Sequence, residues 1–174
     1  MIINFNIDMD DMMSFQKRYI QTSMAIRKVK RMLTFVFPLF ILVFSFIAFY
    51  NRHSRIDIAF VAIVAVVCAL WVIFIPKFFE KSSLRKAKKI LSKPENAIMF
   101  GKFEMMFNDD NFEVKTPSSS SNLQWNSIRN IDETSSYFYL YLSEASAYII
   151  PKQKISNDEA DELRILFKTH YDFI

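Results

Sequence analysis

The chain has only one glycine, one cysteine and two histidines among its 174 residues. A single glycine excludes the glycine-rich loops that hold phosphate groups, because each of those loops needs at least two glycines. The single cysteine, Cys68, excludes both an intramolecular disulfide and a cysteine metal cluster. His53 and His170 lie far apart along the chain, which leaves little for a zinc site. We therefore expect no cofactor and no metal ion, and we identify no small-molecule substrate.

Charged residues are missing from two long apolar runs, residues 32–50 and 58–76. At a rise of about 1.5 Å per residue, each run is long enough to cross a hydrocarbon core of ~30 Å. We therefore predict two transmembrane helices in a lipid bilayer. Neither run contains the ionisable side chain that an ion pathway or proton relay normally needs, which argues against a two-span channel or transporter.

Basic residues are concentrated next to the two runs, and acidic residues in the C-terminal part of the chain. Residues 1–31 carry six Lys/Arg against three Asp, and residues 76–93 carry seven Lys/Arg against one Glu. Residues 94–174 carry seven Lys/Arg against thirteen Asp/Glu. Because Lys and Arg flank spans on the cytoplasmic side, we predict a multi-pass protein of the cell (inner) membrane with both termini in the cytoplasm. The acidic C-terminal part argues against nucleic-acid binding.

These patterns divide the chain into six predicted segments. They are an N-terminal cytoplasmic strand and amphipathic helix (1–31), a first transmembrane helix (32–50), an external loop (51–57), a second transmembrane helix (58–76), a basic juxtamembrane helix (77–93) and a cytoplasmic domain (94–174). We expect the N-terminal helix to run on into the first transmembrane helix.

Two sets of residues predict contacts of the spans. Ala62, Ala65 and Ala69 repeat at helical spacing, and such small side chains let a neighbouring helix approach. That neighbour is either the first span or a second copy of the chain. Basic residues after the second span either bind anionic lipid or serve only as an orientation signal. The possible lipid contacts are Lys77, Lys81, Arg85, Lys86, Lys88 and Lys89.

The cytoplasmic part alternates short strand-like pieces with polar turns and ends in a helix. Ser156 and Glu159 form the capping-box pattern that begins such a helix. Six strand-like pieces followed by a helix are the order of a pleckstrin-homology-like (PH-like) fold. We predict a membrane α-helical hairpin plus a small mainly-β cytoplasmic domain, a PH-like antiparallel barrel or sandwich with a C-terminal helix. Residues 3–7 alternate apolar and polar side chains, and we expect this N-terminal strand to join that domain.

The most aromatic strand of the domain, YFYLYL at residues 137–142, is too short for a third span. Its period of two places Phe138, Leu140 and Leu142 on one face and Tyr137, Tyr139 and Tyr141 on the other. We expect the first face to belong to the core. The tyrosine side is a possible interaction surface, which is covered by the N-terminal helix, by a second copy or by another partner.

The tail also carries a more specific pattern. Trp125, Ile128 and Ile131 follow the spacing W-x-x-I-x-x-I, the aromatic strand comes next, and YIIPK follows at residues 148–152. With the layout of strand, acidic helix start and two spans, this pattern resembles the YcxB-like family of bacterial membrane proteins. The resemblance implies a bacterial inner-membrane protein with a PH-like tail, and it implies no activity.

We identify no catalytic residues, because the paired carboxylates at residues 109–110 and 158–162 lie in a predicted turn and in the first turn of the last helix, which are ordinary structural positions. We therefore expect the protein not to be an enzyme. The favoured function is a membrane-anchored PH-like interaction or scaffolding module that contacts a membrane protein or itself. The alternatives are a sensor of lipid headgroups and an accessory or regulatory subunit of a transporter or envelope complex.

Overall fold

A computed structural model describes residues 1–50 and 58–171. The chain divides into two compact units. The first unit combines Met1–Tyr19 with Ala87–Ile174, and the second comprises Ile20–Lys86. The two ends of the sequence therefore meet in one unit, although two long apolar helices separate them in the chain.

The first unit contains a four-stranded antiparallel sheet in the order β1–β2–β3–β4. Its strands are β1 (Ile2–Ile7), β2 (Gly101–Phe107), β3 (Asn111–Lys115) and β4 (Ser120–Gln124). Ile3 lies opposite Met105, and Ile7 lies opposite Gly101. The N-terminal strand thus joins the C-terminal domain, as its alternating pattern predicts. Its three inward side chains, Ile3, Phe5 and Ile7, are all buried.

A second, three-stranded antiparallel sheet has β6 at its centre. Its strands are β5 (Asn130–Glu133), β6 (Tyr137–Ser143) and β7 (Ser146–Pro151). Among the described residues the seven strands form two separate sheets rather than a closed barrel. Residues 123–133 do not form one continuous strand, because Trp125–Ser127 form a turn of 3-10 helix between β4 and β5.

The C-terminal helix α4 (Asn157–His170) packs one face into the core between the sheets. The Phe167 ring contacts Phe107 of the first sheet at 5.8 Å and Phe138 of the second at 5.6 Å between ring centroids. Trp125 lies against the same ring and is itself buried. The capping box at the start of the helix is present: Glu159 N–H donates to the Ser156 hydroxyl, and the Glu159 carboxylate accepts from Ser156 N–H.

Helix α1 (Met9–Thr22) follows β1 directly. Its free N–H groups at Asp10 and Asp11 donate to the Asp8 carboxylate, which is the usual role of an N-cap residue. The expected continuation of α1 into the first apolar run is wrong, because the helix ends before Ser23. The Ser23 hydroxyl accepts a hydrogen bond from Ile26 N–H and so begins a new helix.

The second unit consists mainly of α2 (Met24–Tyr50) and the greater part of α3 (Ile58–Leu91). Both helices are long and apolar enough to cross a membrane. The basic segment 77–93 is not a separate helix, because α3 continues through Pro76 as far as Leu91. Leu, Ala, Lys and Arg, which dominate that segment, are good helix formers, and they sustain the helix beyond the proline.

Aromatic contacts join α2 and α3. The Trp71 indole N–H donates to the Leu33 carbonyl at 3.1 Å, and the Trp71 ring stacks on Phe37 with 4.4 Å between centroids. Three alanines at helical spacing are the predicted contact either with α2 or with a second copy of the chain. Those residues, Ala62, Ala65 and Ala69, are exposed, although Ala65 also lines a crevice with α2 side chains, whereas Val64, Cys68 and Trp71 are half-buried. Self-association through the alanines stays a prediction.

Candidate functional site

The three tyrosines of β6 form what we call the tyrosine face: Tyr137, Tyr139 and Tyr141. Tyr139 and Tyr141 are only 2% and 8% exposed, and Tyr137 is half-buried. The rings run in sequence along the strand, with 5.5 Å between the centroids of Tyr137 and Tyr139 and 6.2 Å between those of Tyr139 and Tyr141. Because Phe138 and Leu140 on the opposite side are also buried, both sides of β6 are covered.

Helix α1 provides the cover on the tyrosine face. The Phe15 ring lies 5.9 Å from Tyr139 and 6.1 Å from Tyr141, in tilted geometry. Such aromatic pairs contribute about 0.5–1.5 kcal/mol beyond the burial of their area. The face is therefore covered from within the chain, which is one of the three possibilities that the sequence left open.

The start of α1 is held by one lysine. Lys154 Nζ lies 2.6 Å from Asp11 Oδ2 and 2.5 Å from Asp8 Oδ2. Asp11 is almost fully buried, so this ion pair satisfies a carboxylate that would otherwise be costly to bury. The hydrogen bond from Lys154 and those from the α1 backbone hold the pKa of Asp8 below its usual value.

The other end of this contact is a two-point ion pair. Arg18 Nε donates to Asp132 Oδ2 at 2.8 Å, and Arg18 Nη2 donates to Asp132 Oδ1 at 3.1 Å. Bidentate pairs of this kind fix orientation as well as adding binding energy. Asp132 lies opposite Tyr139 in the sheet register, so the pair stands directly beside the tyrosine face.

Together these contacts form a helix-binding surface. The residues of α1 that face it are Asp11, Phe15 and Arg18, at the spacing i, i+4, i+7 that places side chains along one stripe of a helix. On the domain side, Lys154 pairs with Asp11, the tyrosine face contacts Phe15, and Asp132 pairs with Arg18. Burial raises the pKa of both Tyr139 and Tyr141 above the ordinary value of 10, so these hydroxyls stay neutral at physiological pH.

A second ion-pair group ties α4 to the three-stranded sheet. Glu133 accepts from Arg164 at 2.8 Å and from Lys152 at 2.6 Å, and Arg164 also pairs with Asp161. The hydrogen bonds from Arg164 and Lys152 lower the pKa of Glu133. Each of these contacts joins residues of β5, of the turn after β7 or of α4, which makes the group structural.

Two basic residues of the domain that a lipid headgroup could otherwise contact form ion pairs within the domain. Lys152 and Lys154 are engaged by Glu133 and by Asp8 with Asp11, respectively. Lys102 and Arg129 remain exposed. Within residues 1–50 and 58–171 no three His, Cys, Asp or Glu side chains lie close enough together to hold a metal ion.

Sequence reasoning found the tyrosines but missed Asp11, Arg18, Asp132 and Lys154. The sequence shows an apolar stripe on α1 that includes Phe15, but it does not single out Asp11 and Arg18, the two charged residues that flank Phe15 on the contact face. The sequence signal for this contact is the spacing on α1, where an acidic residue at position i and a basic residue at i+7 lie on either side of an aromatic residue. That spacing identifies the residues of α1 in the contact, but it does not identify their partners Asp132 and Lys154.

These features define a class of protein: two antiparallel sheets closed by a C-terminal helix, with two candidate membrane helices placed between the first and second strands. Residues 107–166 match the family model described as YcxB-like protein. The matched segment runs from the end of β2 into α4, and it confirms the resemblance to the YcxB-like family. No curated protein and no solved structure matches the chain.

Proposed function

We propose that this protein is a membrane-anchored interaction module of the bacterial inner membrane, with a PH-like domain on the cytoplasmic side of a two-helix hairpin. One observation carries the proposal. The apolar helices are inserted between β1 and β2, two paired strands of one sheet. The domain is therefore attached to the hairpin through both of its connections rather than through one flexible linker.

The surfaces of the two long helices support membrane anchorage. Only 11% of the most apolar window of α2 is buried inside the protein, and none of that of α3. The core helix of a soluble protein would be mostly covered by its own chain. Among the exposed side chains are Phe35, Phe40, Phe44 and Phe46. A hydrocarbon environment would accommodate these rings at no hydrophobic cost.

The order of the two sheets supports the PH-like assignment. Sheets of four and three strands, followed by a helix whose buried face joins the core, keep the order of strands and then a helix from which the sequence suggests a PH-like domain. Here the first strand precedes the hairpin and the other six follow it.

The acidic charge of the domain argues for a protein partner over lipid headgroups. Residues 94–174 carry thirteen Asp/Glu against seven Lys/Arg, and an anionic leaflet repels such a surface within about a Debye length, ~8 Å. The engagement of Lys152 and Lys154 in ion pairs removes two of the cations that a headgroup site would need. We infer that the partner contacts the domain beside α1, where Tyr137 reaches the surface.

Membrane topology is tested with single cysteines placed in a Cys68→Ser background. Ser54→Cys lies in the predicted external loop, and Ser136→Cys lies in the domain. A membrane-impermeant maleimide is expected to label the first in intact cells and the second only after permeabilisation. Labelling of Ser136→Cys in intact cells would overturn the orientation.

The interaction is tested by in-cell photocrosslinking. A photoreactive residue at Tyr137 is expected to capture another membrane protein, which mass spectrometry then names. The matched control position is Asn122, an exposed residue on the four-stranded sheet. Equal capture from both positions would mean that the partner does not bind at the tyrosine face. Capture of only a second copy of this chain would indicate a self-associating protein rather than a scaffold for another protein.

A further inference from the structure

The cytoplasmic end of the hairpin contains a shallow crevice with a mixed lining. Its walls are Phe74, Ile75 and Phe78, and two lysines, Lys77 and Lys81, line it as well. The lysines are at positions i and i+4 of α3, so the two residues lie on one side of the helix and about 6 Å apart along its axis. Phe74 and Phe78 share this side of the helix, and they are 61% and 67% exposed.

The two lysines lack anionic partners in the described structure. Neither forms an ion pair with any residue in the ranges 1–50 and 58–171. The one carboxylate among the described residues of the second unit is Glu80, which accepts a hydrogen bond from Gln21 at 3.3 Å. Their charge is therefore available to a ligand.

Helix α2 adds further positive charge at the same level. Two contacts set the register of the second unit: Trp71 meets Leu33, and Glu80 meets Gln21. Lys77 lies between these contacts on one side, and residues 27–31 lie between them on the other. That segment contributes four cations, of which Arg27, Lys28 and Arg31 are exposed and Lys30 is half-buried.

We propose that this crevice binds one anionic phospholipid, with its phosphate between Lys77 and Lys81 and an acyl chain along Phe74 and Phe78. The inference rests on the proposed membrane anchorage. If the hydrocarbon boundary lies near residue 76, as the end of the apolar run indicates, Lys77 lies about 1.5 Å and Lys81 about 7.5 Å beyond it along the helix, which places both in or at the edge of a headgroup layer ~5–7.5 Å deep. A soluble anion would use the lysines but leave the exposed phenylalanines without a function.

The remaining cations of α3, namely Arg85, Lys86, Lys88 and Lys89, do not line the crevice, and the last two also lie far from that boundary. Lys88 lies seven residues beyond Lys81, which is about 10 Å further along the helix. Field strength at the membrane surface falls within a Debye length of ~8 Å. Of the six predicted lipid contacts, the crevice therefore selects two.

The test uses the full chain purified in mild detergent and native mass spectrometry. The protein is offered phosphatidylglycerol and phosphatidylcholine with identical acyl chains in equal amounts. A basic residue near the surface favours an anionic lipid by about fivefold, so two lysines predict a preference of about 25-fold. Lys77→Gln/Lys81→Gln is expected to reduce that preference to within a few fold. The matched variant Lys88→Gln/Lys89→Gln removes the same charge from the same helix and is expected to keep it.

Three results would overturn the lipid site. The first is an absence of preference for phosphatidylglycerol over phosphatidylcholine in the parent protein, and the second is an equal loss of that preference in both double variants. The third is complete displacement of phosphatidylglycerol by millimolar inorganic phosphate, which would indicate a site for free phosphate. Extraction of membranes with alkaline carbonate distinguishes failure of the lipid site from failure of the proposed membrane anchorage. Release of the chain by carbonate argues against anchorage itself, whereas a retained chain without lipid preference argues against the crevice alone.

Discussion

Replacing Ile3 with alanine tests whether the N-terminal strand is part of the core of the cytoplasmic domain. Ile3 is fully buried and lies opposite Met105, which is also fully buried. Its neighbour Ile2 is on the same strand but points away from the core and is 51% exposed. The substitutions Ile3→Ala and Ile2→Ala remove the same atoms from the same strand, so their difference measures burial.

Deleting a buried isoleucine to alanine typically costs 2–5 kcal/mol. We take about 3 kcal/mol for Ile3→Ala, because the side chain lies in a continuous core between two sheets, and this corresponds to roughly a 150-fold change in the unfolding equilibrium. Ile2→Ala is expected to change the free energy of unfolding by no more than about 0.5 kcal/mol.

Hydrogen exchange in the full-length protein provides the assay. The amides of β2 (Gly101–Phe107) are separated from β1 in the chain by both apolar helices, yet they pair with it. Ile3→Ala should speed their exchange by about two orders of magnitude, whereas Ile2→Ala should leave it close to that of the parent. Equal protection of β2 in both variants would refute the conclusion that β1 completes the sheet.

Three further substitutions follow from the described contacts. Glu133→Gln should lower stability by about 1–2 kcal/mol at pH 7. Because the hydrogen bonds from Arg164 and Lys152 depress the Glu133 pKa below its usual 4.5, its contribution is present above that value and is lost as the pH falls through the folded pKa. The stabilities of variant and parent should therefore converge only below pH 4.5, once Glu133 is protonated in the folded protein, and the exposed Glu162→Gln is the control. Gly101→Ala should cost about 1–3 kcal/mol in thermal unfolding, since Gly101 has φ +116° and an added Cβ would lie 3.2 Å from Pro117; an unchanged melting temperature would contradict this. Phe15→Ala should uncover Tyr139, so ultraviolet titration should show tyrosine ionising at lower pH, and an unchanged titration would show that α1 is not the cover.

Patterns within short stretches of sequence determined much of this protein. Two uncharged runs indicated two long apolar helices, alternation at residues 3–7 predicted a strand and its buried side, and alternation at residues 137–142 predicted a strand. The capping box at Ser156 and Glu159 marked the start of α4. These features depend on periodicity and on local hydrogen bonds, which a residue and its near neighbours define without any tertiary contact.

Tertiary structure alone decided which surfaces meet. Lys154 reaches Asp11 across 143 positions of the chain, and Arg18 reaches Asp132 across 114. Strand alternation placed the tyrosines on one side of β6 but did not identify the helix that covers them. That choice depends on which pairing buries most apolar surface while leaving no buried charge without a partner. It is a property of the whole domain, because β1, α1 and the sheets must all be in position before Phe15 can lie on Tyr139 and Tyr141.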